Sequence, residues 1–158
     1  VVHLSEPVTA SLARTLNEKS RLSVSEANDG DELRPGRVYL APGGSHLLLA
    51  SATRGRLVLR SSQDPPENGC RPSVDVLFRS AARACPNGLL ALIMTGMGDD
   101  GVKGLGVLKE AGAHVLAQDE SSSVVWGMPG SAVNAGMVDE VLPLTRLAGR
   151  LLELAAGT

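Results

Sequence analysis

Aromatic side chains are scarce: one Trp, one Tyr and one Phe among 158 residues. That is too few for a platform on which nucleic-acid bases stack. No sign of charge dominates either, with 15 basic and 17 acidic residues and a net charge of -2. The balance leaves no electrostatic footprint for nucleic acid or an anionic membrane surface. No apolar run reaches the roughly 18 residues that span a bilayer, and no basic-then-apolar signal peptide opens the chain. Cys70 and Cys85 are the only cysteines; they form neither a disulfide framework nor a metal-ligand pattern, and are expected as reduced thiols of a cytosolic protein. An initiator Met is missing as well: the chain opens Val1-Val2-His3 and reads as starting inside a longer sequence.

Several chemical signatures are also lacking. No G-x-S-x-G nucleophile elbow occurs, no H-E-x-x-H, and no histidine pair at zinc spacing, so neither a metal nor a cofactor is expected. Ser121-Ser122-Ser123 reads as a helix cap and bend rather than a nucleophile.

What is present is an ordinary globular composition, 43% hydrophobic and 20% charged, of a length suited to one domain. Its 18 glycines and 9 prolines predict many tight connections. Val1 to Leu4 reads as the end of a buried strand. Ser5-Glu6-Pro7 then starts a helix running to about Lys19, with Val8, Leu12 and Leu16 as its apolar stripe. A half-buried strand over 22–26 and a turn at Asn28-Asp29-Gly30-Asp31 follow. Three β-patterned pieces, 37–41, 46–51 and 56–60, are separated by glycine-containing turns and predict antiparallel hairpins. Residues 61–71 form a polar loop, and Pro72 opens a helix to about Cys85.

From Asn87 the pattern changes. Leu89 to Met94 is a continuous apolar run, as in a strand buried on both faces. The glycine-rich loop Thr95 to Gly101 leads to a helix ending near Ala111-Gly112. A strand at 114–118, a helix around 128–135, a strand at 138–142 and a helix from Pro143 complete the alternation. The expected fold is α/β: a doubly wound, mainly parallel sheet of the Rossmann-like three-layer kind, with an inserted antiparallel hairpin region.

In open parallel sheets ligands bind where strands end and loops lead to helices. His3 and the Thr95–Gly101 loop, with Asp99 and Asp100, occupy such places, and an imidazole and a carboxylate at adjacent strand ends can form the base–orienter pair of a hydrolase. Gly96, Gly98 and Gly101 also match G-x-G-x-x-G, but two aspartates in its variable positions would repel a pyrophosphate. A plainer reading has the glycines serving tight turns and the aspartates capping the next helix. His46 is expected in a structural or substrate-facing role, and His114 at an edge or surface. Ser45-His46 makes a poor nucleophile–base pair, because adjacent strand residues point to opposite faces.

Four blocks occur in order: Tyr39-Leu40-Ala41-Pro42-Gly43, Arg71-Pro72-Ser73-Val74-Asp75-Val76-Leu77-Phe78, Met94-Thr95-Gly96-Met97-Gly98-Asp99-Asp100-Gly101 and Val124-Val125-Trp126-Gly127-Met128-Pro129. Together they resemble the catalytic domain of the chemotaxis receptor methylesterase family (CheB), from His3 to about Leu144. The resemblance implies a protein-glutamate methylesterase, often also a glutamine deamidase, acting on the cytoplasmic helices of methyl-accepting chemotaxis receptors through a Ser-His-Asp triad. His3 matches the family histidine, with Ser5 in the place of a usual proline. Asp100 matches the family aspartate, with Asp99 where Asn is usual. Met97 matches the residue whose backbone N–H helps to bind the oxyanion.

The family's nucleophile lies upstream of its histidine, so here the serine is expected outside this chain. Residues 1–158 are then a single catalytic domain, incomplete at its amino end and without the receiver domain common in the family. The alternative is a catalytically inactive relative that binds receptor helices or a partner. The resemblance further implies a cytoplasmic monomer that neither inserts into a membrane nor binds nucleic acid. Arg71 is weighed equally between a loop-to-helix contact and a substrate role, and the hairpin region 37–60 between packing and a receptor-facing role.

Overall fold

The computed structural model describes residues 1–157, which divide into two compact units, Val1–Ala84 and Cys85 onward. In the first, residues 1–5 are irregular; the Leu4 N–H turns back to the Val2 carbonyl at 2.9 Å. The strand expected over Val1 to Leu4 is therefore not formed there, because a bend that closes on itself cannot present a ladder edge. Helix α1, Glu6–Lys19, follows with Pro7 in its first turn, Glu6 at its positive end and Lys19 at its negative end.

Its buried residues are Thr9 and Ala13, whereas Val8 and Leu16 of the expected stripe are 46% and 39% exposed. Close approach is the reason. A Cβ on Gly43 would lie 2.3 Å from the Glu6 backbone nitrogen, so the turn after the second strand presses main chain against main chain. Only small side chains fit such a contact, and the Thr9 hydroxyl serves it by donating to the Glu6 carbonyl at 3.0 Å and accepting from the Gly43 N–H at 3.1 Å.

Strands β1, Ser23–Glu26, and β2, Arg37–Leu40, pair in parallel, Ser23 opposite Arg37 and Glu26 opposite Leu40. Strands β3, His46–Ser51, and β4, Leu57–Ser62, form the antiparallel hairpin. Only one of the two expected hairpins exists: β2 looks back to β1 rather than forward to β3, a choice that turn residues do not encode. Helix α2, Val74–Ala84, packs on β3, and the buried Ser80 hydroxyl accepts from the Leu49 N–H at 2.9 Å while donating to the Leu77 carbonyl at 2.7 Å. Ala27, Ala41, Leu47 and Leu59 centre the apolar core of this unit.

The second unit alternates as expected: β5 (Leu90–Ile93), α3 (Val102–Glu110), β6 (His114–Gln118), α4 (Gly127–Asn134), β7 (Glu140–Leu142) and α5 (Leu144–Ala156). Its sheet is parallel in the order β5-β6-β7. Val115, Leu116 and Ala117 are all 0% exposed, so the central strand is covered on both faces. Gly112 ends α3 at φ +79°, with its N–H bonded to the Lys109 carbonyl and the Ala113 N–H to Leu108. That is the paired-bond stop that favours glycine after a helix, and Gly136 repeats it after α4. Among the described residues three of the four strand pairings are parallel, so the α/β, mainly parallel class holds.

Candidate active site

The Thr95–Gly101 loop leaves the carboxyl end of β5, where an open parallel sheet places its ligands. It is fixed by a second segment, Val125 to Met128, along most of its length. The Gly96 N–H donates to the Val125 carbonyl at 3.0 Å and the Met128 N–H to the Gly96 carbonyl at 2.8 Å. The Thr95 hydroxyl donates to the Val125 carbonyl at 3.0 Å and accepts from the Val125 N–H at 2.9 Å. A Cβ on Gly127 would stand 2.8 Å from the Gly96 carbonyl oxygen and 2.9 Å from the Gly98 nitrogen. Gly127 thus lets two backbones touch, while a Cβ on Gly96 would meet the Met128 side chain, its sulfur 2.5 Å away; close packing accounts for both glycines with no need of a pyrophosphate.

Met97, within this loop, is 85% exposed. Its N–H carries no hydrogen bond among the described residues and is available to an external acceptor. Asp100 is only 4% exposed, whereas Asp99 is exposed and offers its backbone carbonyl to the Val102 N–H at 3.2 Å. The residue before α3 is Gly101, at φ +105°, with no side-chain cap of its own. The neighbouring aspartates therefore differ in environment: one is a buried carboxylate and the other a solvated one. His3 belongs to the first unit, exposed and three residues ahead of α1.

Those features match a known family. The family model for CheB methylesterase covers residues 1–151. The chain belongs to that family. A CheB relative from Desulfotalea psychrophila, named protein-glutamate methylesterase/protein-glutamine glutaminase, is 47% identical over 96% of this chain and 42% of its own length. One of the same name from Anaeromyxobacter dehalogenans is 51% identical over 98% of this chain and 44% of its own. The chain spans less than half the length of these curated relatives. The crystal structure of the Thermotoga maritima CheB methylesterase catalytic domain superposes with a TM-score of 0.93 at 41% identity, covering 96% of this chain and 80% of that one. The fold is that of the CheB catalytic domain.

The other histidines are occupied structurally in this CheB chain. His46 is 1% exposed; its Nε2–H donates to the Pro65 carbonyl at 3.1 Å and its Nδ1 accepts from the Ser73 N–H at 3.2 Å. Both ring nitrogens are spent, and Ser45 separately accepts from Gln63. The His114 Nε2 lies 2.8 Å from a Glu140 carboxylate oxygen, at the start of β6. Arg71 donates to the carbonyls of Gln63 and Asp64 at 3.1 and 3.2 Å, a loop brace rather than a loop-to-helix contact.

The serine bend at 121–123 was expected from the sequence, but the part played by Gln118 before it was not. Gln118 ends β6 at 1% exposure, and its Oε1 accepts the Thr95 N–H at 3.0 Å. Asp119 gathers the Ser121 and Ser122 hydroxyls, and those bonds hold its carboxyl below the usual aspartate range. A long polar side chain closing an otherwise apolar buried strand was the available signal.

Proposed function

We propose that the protein containing this chain hydrolyses glutamate methyl esters on the cytoplasmic helices of chemoreceptors, with His3 as general base, Asp100 as its orienting carboxylate and the Met97 N–H as an oxyanion donor. The observation that carries the proposal is the glycine loop. It is held by hydrogen bonds at a strand's carboxyl end, with a buried carboxylate at one position and an unengaged N–H at another. Family membership and the relatives' names support the reaction class.

In this reading the nucleophile is a serine outside these 158 residues. Its hydroxyl gives a proton to His3 as the oxygen attacks the ester carbonyl, and Asp100 fixes the imidazole tautomer and stabilises the imidazolium. The carbonyl oxygen takes up negative charge against the Met97 N–H, a donor worth about 3–4 kcal/mol in comparable sites. His3 returns the proton to departing methanol, and water attacks the acyl-serine by the same route to leave glutamate. A glutamine side chain would follow the same path with ammonia leaving, which is the deamidase counterpart. The chemistry calls for no metal or cofactor. Residues 1–158 act here as parts of one monomeric catalytic domain working in the cytoplasm.

Methanol release from methylated receptor by the natural protein tests the proposal. Release that disappears in His3→Ala supports it. Receptor binding without methanol release would favour the alternative of an inactive binding module.

A further inference from the structure

We infer that Gln118 is a positioning residue for the Thr95–Gly101 loop, setting where Met97 and Asp100 stand; this rests on the reading of that loop as part of the active site. The Gln118 side chain is buried and its two ends are used in opposite senses. Its Oε1 accepts the Thr95 N–H at 3.0 Å, and its Nε2 donates to the Ser122 carbonyl at 2.7 Å and the Ser122 hydroxyl at 3.3 Å. Its own carbonyl accepts from the Trp126 indole N–H at 3.3 Å. The side chain therefore ties the loop's first residue to the serine bend, and the main chain ties that bend to the Val125–Met128 segment clamping the loop.

Ser122 is itself anchored. Its N–H donates to Asp119 at 3.0 Å, and its hydroxyl oxygen accepts from the Leu144 N–H at 2.9 Å. Thr95 is held at both backbone and side chain, by Gln118 and by Val125. Met97 lies two residues beyond it, so little slack remains between the amide and the oxyanion donor. An amide is the one side chain of this length that offers an acceptor and a donor at neutral pH. A carboxylate would keep the acceptor for Thr95 but set its second oxygen against the Ser122 carbonyl, until a proton restored the donor.

The test uses Gln118→Leu and Gln118→Glu in the natural protein, with methanol release measured from about pH 8 to about pH 6 and thermal midpoints recorded. Gln118→Leu is expected to lower kcat about 10- to 100-fold with KM within about twofold. The Gln118→Glu rate, divided by the wild-type rate at each pH, is expected to rise at least about threefold as pH falls. A folded Gln118→Leu with kcat within about twofold of wild type, or a ratio flat across pH, overturns the inference. If the leucine variant does not fold, the glutamate ratio decides alone. A wild type that releases no methanol counts against the hydrolase reading instead. Amide exchange over residues 95–101 then decides: faster exchange in Gln118→Leu supports positioning and unchanged exchange contradicts it.

Discussion

Asp99 and Asp100 show how one peptide bond separates two chemistries. Both are aspartates beside a glycine, yet one is solvated and the other is 4% exposed. Asp100→Asn is expected to lower kcat about 10³- to 10⁴-fold, because an amide there favours the wrong imidazole tautomer, while Asp99→Asn stays within a few-fold. Methanol-release kinetics on the two variants check this. Their difference in burial was not readable locally, since the sequence gives both the same cap-like context. His46 is a stability residue by contrast. His46→Leu strands the Ser73 N–H and the Pro65 carbonyl, and should cost about 2–3 kcal/mol in a denaturant titration without touching the chemistry. Its burial was hidden in the sequence, because a strand pattern says which residues alternate but not which face another loop covers.

Among the elements, the alternation of the second half could be read almost residue by residue: an unbroken apolar run for β5, and glycine stops at Gly112 and Gly136. Pairing could not. The link from β2 back to β1 depends on which edges meet in three dimensions, and the α1 face depends on the close approach of Gly43, so Thr9 and Ala13 displaced the larger apolar residues from the interface. The clamp between Thr95–Gly98 and Val125–Met128 was equally invisible, because thirty residues separate its halves. It makes two glycines behave differently. Gly127→Ala drives a Cβ into the Gly96 and Gly98 backbone and should reduce kcat about 10- to 100-fold. The Cβ of Gly96→Ala would stand 2.5 Å from the Met128 sulfur, at a flexible side chain that can shift, so its rate should stay within a few-fold. Equal losses in the two variants would argue against backbone contact as the reason for Gly127.

At the scale of the whole molecule, acid is the predicted weakness. Burial raises the Asp139 carboxyl, but the Lys109 ammonium and the Val115 N–H outweigh it and hold the group below its ordinary 3.8. The Arg150 guanidinium, helped by His114, holds Glu140 below its ordinary 4.5. Carboxyls depressed in the folded state stabilise fully above those ordinary values, and the contribution is lost as pH falls through the depressed ones. Denaturant titrations should therefore give a stability plateau at neutral pH that drops below about pH 4, and Asp139→Asn with Glu140→Gln should shallow the drop. The family relationship extends over residues 1–151, and the chain spans less than half the length of its curated relatives. The proposed function rests on His3 as general base and Asp100 as its orienting carboxylate. It is tested most directly by methanol release from methylated receptor, comparing the natural protein with His3→Ala, Asp100→Asn and the double variant. The account predicts that each single variant loses at least about 10³-fold and that the double loses little more, as expected of groups acting as a unit. Methanol released at near wild-type rates by either folded single variant would contradict it.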